Sequence, residues 1–294
     1  MRHSLHLVSA ALVVSALVPG PVQAQTPSLT PSPRPAAVKD MRSQLGASIN
    51  NAGLQQSFDA SWRRALNSST RAVFADAHLS FGGTLAITPT AVRGGAWAEV
   101  APVSIFTLRV GAEPSQYFGS FNAITSFEQR TDGFDPDARK ARSNATAGRT
   151  MRLYVTPSVQ ARVGRVALSS SLNLERWSAT VRGPLYYEPT RDTLLAVGGD
   201  HLMTLNSVML FEHATRGNGT IAAGPIHTLT RVHGDSLNQM QRIGVLLTRQ
   251  DRGRRFGLLR PSVTALVGYY LNDPNKQGQW SAAAAVSFSV GQRR

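Results

Sequence analysis

Residues 280–291 read WSAAAAVSFSVG, and every second residue of this stretch is apolar. Trp280, Val286 and Phe288 belong to the apolar set, whereas Ser281 and Ser289 belong to a set of small residues between them. Successive side chains of a β-strand point to opposite faces. The alternation therefore predicts a strand with one apolar face and one small, polar face, and it raises the question of which solvent lies on each side.

The same alternation recurs along the chain in segments of roughly ten residues that are separated by turn residues. In the clearest case the alternating segments 150–163 and 165–179 meet at the turn Val163-Gly164-Arg165, which predicts a hairpin. The predicted strands are 40–49, 54–66, 71–83, 90–100, 103–113, 150–163, 165–179, 199–213, 219–232, 238–250, 257–271 and 279–291. This interpretation predicts twelve strands; an even count without the first two segments gives ten.

Two architectures accept such strands. A soluble β-sandwich buries the apolar face and exposes the polar face to water, whereas a transmembrane barrel places the apolar face in lipid and the polar face in its lumen. The predicted strands are longer than the ~5–6 residues of globular proteins and close to the ~9–11 residues that cross a bilayer. We therefore predict an all-β fold: a transmembrane antiparallel up-and-down β-barrel of about 12 strands, with lipid on the Trp280 side.

The beginning of the chain predicts export. Residues 1–24 combine Arg2, an apolar run from Leu7 to Val18 and small residues before Gln25, which is typical of a cleaved signal peptide. Residues 25–39 are rich in Pro, Ser and Thr and predict a flexible periplasmic leader, which leaves 40–294 for the barrel. The chain has no cysteine, so disulfides do not stabilise it.

The export signal, the alternating segments and the terminal WSAAAAVSFSV together resemble the bacterial outer-membrane β-barrel proteins. The resemblance implies location in the bacterial outer membrane, contact with outer-membrane lipid and lipopolysaccharide, and insertion by the barrel-assembly machinery. Proteins of this class commonly end on an aromatic residue. Here Phe288 is followed by Ser289 to Arg294, which departs from that pattern.

Charge is the strongest functional signal. The chain carries 31 Lys and Arg against 17 Asp and Glu, and the lumen phase of the strands collects arginines but few acids, chiefly Asp59, Asp76, Glu99 and Glu175. This predicts a net basic lumen, and two interpretations stay open: an anion-preferring pore for small anionic solutes, or a structural barrel filled by paired polar groups. The arginines predicted to contact anions are Arg42, Arg63, Arg93, Arg109, Arg152, Arg162, Arg242 and Arg260.

An enzyme is the alternative function. Asp76, His78 and Ser80 would share one lumen face, as in a barrel that hydrolyses lipid or peptide, but neighbouring positions on one face are about 6.6 Å apart. No G-x-S-x-G motif supports a nucleophile. We therefore expect no catalysis.

The remaining motifs are weaker. Asp132, Asp135 and Asp137 lie beside basic residues and lack the calcium-loop pattern, so no metal or other cofactor is expected. No recognisable nucleic-acid module is present, so no nucleic-acid partner is expected. The pairs Tyr186-Tyr187 and Tyr269-Tyr270 are predicted to belong to an outer aromatic girdle. A secreted β-sandwich that binds acidic glycans remains the soluble alternative.

Overall fold

The computed structural model describes residues 37–50, 53–69, 71, 73–142, 144–215, 219–235, 237–251, 253–255 and 258–290. The predicted signal peptide, the leader up to residue 36 and the tail after residue 290 lie outside the described residues. None of the helices in the described part of the chain has the length and apolar composition needed to span a bilayer.

Strands dominate the described residues. In chain order they are β1 (Ala37–Ile49), β2 (Gly53–Ala65), β3 (His78–Ile87), β4 (Ala91–Val103), β5 (Phe106–Phe118), β6 (Ser126–Phe127), β7 (Ala147–Val163), β8 (Val166–Ala179), β9 (Leu185–Glu188), β10 (Thr193–Ala196), β11 (Asp200–Ala214), β12 (Gly219–Val232), β13 (Gln239–Asp251), β14 (Arg254–Arg255), β15 (Leu258–Asn272) and β16 (Trp280–Ser289). A 3-10 turn (Ser120–Asn122) and one short helix, α1 (Pro136–Arg142), complete the elements.

Twelve of these strands close into an antiparallel barrel. Each long strand pairs with its neighbour along the chain, and β1 closes the ring by pairing with β16. The closing register sets Leu45 opposite Val286 and Ala47 opposite Ala284. The predicted twelve-stranded fold is confirmed, including the two N-terminal strands; β1 begins at Ala37, before the predicted start of the barrel.

The two faces of the wall have the predicted orientation. On β16 the side chains of Trp280 and Val286 are 68% and 41% exposed, whereas those of Ser281 and Ala285 are each 5% exposed. Exposed Val, Leu, Ile and Phe side chains recur at alternate positions around the whole ring. A closed wall with this apolar outer surface leaves no sheet edge for pairing and presents hydrocarbon-like side chains to its surroundings.

The strand ends distinguish two rims. At the rim that carries both described termini the connections include the two-residue turn Gly164-Arg165, where Gly164 adopts φ +59°. At the opposite rim the connections 119–146 and 180–199 are the longest. Short periplasmic turns and long external loops are typical of bacterial barrels, so the second rim is the outer one.

The largest error in the predicted strand boundaries lies at the beginning of β3. Residues 73–76 form a turn instead of the first half of a strand, and β3 begins at His78. Hydrogen bonds from the Phe74 N–H to the Arg71 carbonyl and from the Ala77 N–H to the Phe74 carbonyl close this turn. Asp76 therefore lies in the connection at the inner rim and not on the lumen face of β3.

The outer end of the lumen is filled by a second, three-stranded sheet. Strands β9 and β10 form a hairpin that we call the plug hairpin (Leu185–Ala196), and β6 adds a third strand to it. Tyr186 and Leu195 on one face of the plug hairpin pack against wall residues such as Trp177. Its other face, with Tyr187 and Leu194, packs against the outer loop 119–146.

This packing corrects the predicted aromatic girdle. Tyr186 and Tyr187 are 0% and 2% exposed inside the plug, so they do not face lipid. Tyr269 does lie on the outer surface, where its ring contacts Trp280 at a centroid distance of 5.2 Å. The adjacent Tyr270 points into the lumen and is 1% exposed, because neighbouring residues of a strand face opposite sides.

Candidate functional site

The predicted lumen arginines are largely neutralised by acidic partners. Five of the eight form ion pairs with carboxylates of the wall. The pairs are Arg42–Asp40 (3.3 Å), Arg93–Glu113 (3.7 Å), Arg109–Glu99 (2.8 Å), Arg152–Glu175 (2.6 Å) and Arg162–Glu212 (2.6 Å). The basic excess that the sequence suggests is therefore reduced in the folded lumen.

The other three arginines have different surroundings. Arg63 lies on the lumen face of β2, opposite Ser80. Arg242 is 4% exposed, and its guanidinium carbon lies 5.8 Å from the Tyr270 ring centroid. Arg260 is exposed at a register shift near the inner rim, with φ +48°, so simple alternation does not define its direction.

Two lumen acids that alternation did not single out change the charge balance. Glu113 lies between Arg93 and Arg152 and forms ion pairs with both, and Glu212 pairs with Arg162. The inward direction of Glu113 could have been predicted from the sequence, because Glu113 lies four residues after Arg109 on the same face of β5. Its ion pairs with both Arg93 and Arg152 could not have been predicted, because they depend on the register among β4, β5 and β7.

Glu175 is the centre of the most buried charge cluster. Its carboxylate accepts hydrogen bonds from Arg152 Nη2 at 2.6 Å, from Trp177 Nε1 at 2.7 Å and from Arg191 Nε at 2.8 Å. Arg152, Trp177 and Glu175 belong to the wall, whereas Arg191 belongs to the turn of the plug hairpin. The cluster is therefore an ionic attachment between the plug hairpin and the barrel.

A second attachment joins the plug hairpin to β5. Tyr117 donates a hydrogen bond from its hydroxyl to Glu188 Oε1 at 2.6 Å, and Thr190 donates to the same oxygen from its backbone N–H and its hydroxyl. The other oxygen, Glu188 Oε2, is buried and has no hydrogen-bond partner among the residues that the structure describes. Burial raises the pKa of Glu188 above its ordinary value, although the hydrogen bonds from Tyr117 and Thr190 oppose this shift.

The third attachment reaches the opposite side of the outer rim. Lys276, in the connection between β15 and β16, forms an ion pair with Asp192 of the plug hairpin. Asp192 also accepts a hydrogen bond from the Tyr187 hydroxyl at 2.6 Å. The turn of the plug hairpin is thus held from three parts of the barrel by polar contacts, while its faces are held by apolar packing.

Deeper in the barrel, part of the lumen wall is apolar. The set comprises small and branched side chains from adjacent strands, each 3–7% exposed: Ala167, Val208, Leu210, Ala222, Ile226, Leu246 and Leu266. This finding corrects the expectation of a polar lumen along every strand. These side chains come from β8, β11, β12, β13 and β15, whereas most of the ion pairs lie on β1 to β7.

The residues predicted for the enzymatic alternative do not assemble. His78 Nδ1 lies 2.7 Å from the Asp76 backbone oxygen, and His78 Nε2 lies 3.1 Å from Glu99 Oε1. Both ring nitrogens are therefore engaged. The Asp76 side chain belongs to the inner turn, and Ser80 has no hydrogen bond from its hydroxyl to His78.

The acidic residues Asp132 and Asp135 of the outer loop stabilise the loop itself. Asp135 Oδ1 accepts hydrogen bonds from the Asp137 and Ala138 N–H groups at the beginning of α1, and Asp132 pairs with Arg142 at 3.1 Å. Within the described residues no group of three His, Cys, Asp or Glu side chains is arranged to hold a metal ion.

Comparisons with known proteins give likenesses among solved structures alone. No family model matches the chain, and no curated protein matches it. The β domain of the Bordetella autotransporter BrkA is 13% identical over 86% of this chain and 98% of its own, with a TM-score of 0.46. The KdgM porin is 11% identical over 86% and 99%, with a TM-score of 0.39. The NanC porin is 11% identical over 85% and 100%, with a TM-score of 0.42. These likenesses assign no role to any residue of the lumen.

Proposed function

We propose that this chain is a bacterial outer-membrane β-barrel for passive permeation, and that the plug hairpin closes its lumen at rest. The observation that carries the proposal is the attachment of Arg191, on the plug hairpin, to the buried carboxylate of Glu175 on the wall. Burying a charged pair carries a desolvation penalty that offsets much of its attraction, so the docked and undocked states of such an attachment can lie close in free energy. Such a contact suits a plug that has an undocked state.

A purely structural barrel is the competing interpretation. Variants of the plug hairpin distinguish it from a permeation barrel. Conductance of the purified full chain in a planar bilayer is compared with that of Arg191→Ala and of a variant in which residues 184–197 are deleted. We expect small, rare openings for the wild type, more frequent openings for Arg191→Ala, and persistent conductance for the deletion variant.

The matched control is Arg182→Ala, which removes an equal charge from an exposed side chain in the same outer loop. This variant should conduct like the wild type. Heat-modifiable migration in electrophoresis verifies that every variant retains a folded barrel. A folded deletion variant that carries no current would refute permeation and leave a structural barrel.

The proposal includes a preference for small anions once the lumen is open. Arg63 and Arg242 support it, because their guanidinium groups lie on the lumen face and neither forms an ion pair with a described acid. Rings of basic side chains favour anions in a narrow, low-dielectric pore. In the deletion variant, Arg63→Gln and Arg242→Gln should each lower the ratio of anion to cation permeability measured from reversal potentials.

The proposal assigns no catalytic role to the lumen. It is supported by the geometry at His78, whose two ring nitrogens already face oxygen atoms of Asp76 and Glu99. Lipopolysaccharide, outer-membrane lipid and the barrel-assembly machinery are the proposed partners, together with small anionic solutes. His78→Gln should leave conductance unchanged apart from any loss of barrel stability, which heat-modifiable migration detects.

A further inference from the structure

Three basic residues form a row on the outer surface of the barrel, close to the outer rim. Arg176 on β8 lies directly opposite His201 on β11, and Arg231 on β12 lies opposite Met203, two residues after His201. All three basic side chains are exposed. Directly opposed and diagonal neighbours on one face are about 5 and 7–8 Å apart, so the long side chains of this basic row can reach one headgroup.

The basic row lacks compensating charge. The outward positions of β7, β8, β11 and β12 carry no Asp or Glu within the described residues. Neither Arg176 nor Arg231 forms an ion pair with any residue that the structure describes. The inner end of the same outer surface differs, because the outward Arg249 pairs there with Asp251 at 3.6 Å.

The height of the row matches a membrane interface. Arg176 lies ten residues after Val166 at the inner end of β8, and Arg231 lies twelve residues after Gly219 at the inner end of β12. With about 3.3 Å per residue and a tilt of about 40°, Arg176 and Arg231 are about 25 and 30 Å above the inner ends of their strands, which is at or just beyond the top of an apolar band of about 25 Å. Between these levels the outward side chains of β8 are Leu, Ser and Val.

We infer that Arg176, His201 and Arg231 bind the phosphate groups of the glycolipid in the outer leaflet. The inference rests on the proposed outer-membrane location. Guanidinium groups form strong charge-assisted hydrogen bonds with phosphate oxygens. An exposed cationic row that ends an apolar band matches a lipid whose phosphates lie directly above its acyl chains.

The test uses the purified full chain in detergent, titrated with bisphosphorylated lipid A and read by native mass spectrometry. Dephosphorylated lipid A and phosphatidylglycerol are titrated in parallel. The double variant Arg176→Gln/Arg231→Gln should bind bisphosphorylated lipid A about tenfold more weakly, the loss of one or two charge-assisted contacts. The control Arg64→Gln/Arg165→Gln removes the same charge from exposed residues near the inner rim and should bind like the wild type.

Three results would overturn the inference. Equal binding by the two double variants, or equal binding of phosphorylated and dephosphorylated lipid A, removes the role of the row in phosphate recognition. Equally tight binding of phosphatidylglycerol that competes with lipid A excludes selectivity for the glycolipid. Insertion into vesicles, followed by heat-modifiable migration, separates these outcomes from failure of the proposed location: a chain that does not insert overturns both.

Discussion

At the scale of single residues, Glu175 shows how a buried charge can favour one conformation. Its carboxylate is satisfied by Arg152 and Trp177 of the wall and by Arg191 of the plug hairpin. Removing one partner of a buried ion pair costs about 3–5 kcal/mol, because the remaining charge stays buried without its partner. Since Glu175 keeps two donors in Arg191→Ala, we expect the docked state of this variant to lose an amount of free energy at the lower end of this range.

A single thiol can measure that cost, because the chain has no cysteine of its own. In the variant Leu195→Cys the thiol replaces a side chain that is 0% exposed, so maleimide labelling reports the undocked fraction. Adding Arg191→Ala should accelerate labelling about 100-fold, which corresponds to about 3 kcal/mol. The same change in Arg182 should have no effect. Equal labelling rates for the two arginine variants would show that the Glu175 cluster does not hold the plug hairpin.

A double-mutant cycle tests the pair directly. Glu175→Gln and Arg191→Gln are each combined with Leu195→Cys, separately and together. Groups in contact show coupling energies of about 0.5–3 kcal/mol, so the double variant should label more slowly than the sum of the single effects predicts. Additive effects would mean that Arg191 acts through contacts other than Glu175.

At the scale of secondary-structure elements, the plug hairpin marks the limit of prediction from sequence. Most of the wall strands were predictable, because outward apolar residues recur at every second position over about ten residues. The strands LYYE and TLLA of the plug hairpin are four residues long and buried on both faces, so they show no alternation. Tyr186 and Tyr187 were therefore assigned to lipid, although Trp177 and Phe134 cover them from opposite sides.

The plug hairpin should also respond to pH through Glu188. Burial raises its pKa, and the groups that face it are Tyr117 from β5, Arg93 from β4 and Thr190 of its own hairpin. Because the raised pKa belongs to the docked state, this contribution is fully present below about 4.5, the ordinary value, and is lost as the pH rises through the raised pKa. Openings should therefore become more frequent from pH 4.5 towards neutrality.

Glu188→Gln is the matched variant, since the amide imitates the protonated carboxyl group at every pH. Its open probability in planar bilayers should stay low and change much less with pH than that of the wild type. Asp235 should give a pH dependence of the opposite sign. Burial raises the pKa of this outer-loop carboxylate, but the hydrogen bonds from Asn238 and Leu237 outweigh burial and lower it. Its contribution to stability is therefore lost as the pH falls. A wild type that opens on acidification would contradict the role of Glu188.

At the scale of the whole molecule, the barrel has an apolar outer surface and a lumen divided between ion pairs and aliphatic packing. Alternation predicted which residues of β16 face outward, because the direction of a side chain depends only on its position within its own strand. It did not predict the partners of Arg93 or Arg162, because those depend on register between strands distant in sequence. Alternation also did not predict the aliphatic side chains around Leu246 in the lumen. Apolar residues occur on both faces of β11 to β13, so the sequence does not distinguish the inward from the outward ones.

The orientation of the whole barrel towards its solvent can be tested on one strand. Val245, at the middle of β13, is 58% exposed on the outer surface, and Gln239 occupies the same face at the outer end. Arginine on a lipid-facing strand costs about 2–4 kcal/mol at the bilayer midplane and about 0–1 kcal/mol near the interface. Val245→Arg should therefore lower the free energy of unfolding in lipid vesicles by several times more than Gln239→Arg, measured by urea titration with heat-modifiable migration as the readout.

In a water-soluble barrel both arginines would lie in water, and replacing an exposed valine would cost little. Equal effects of the two substitutions would therefore place water, and not lipid, against the face that begins with Trp280.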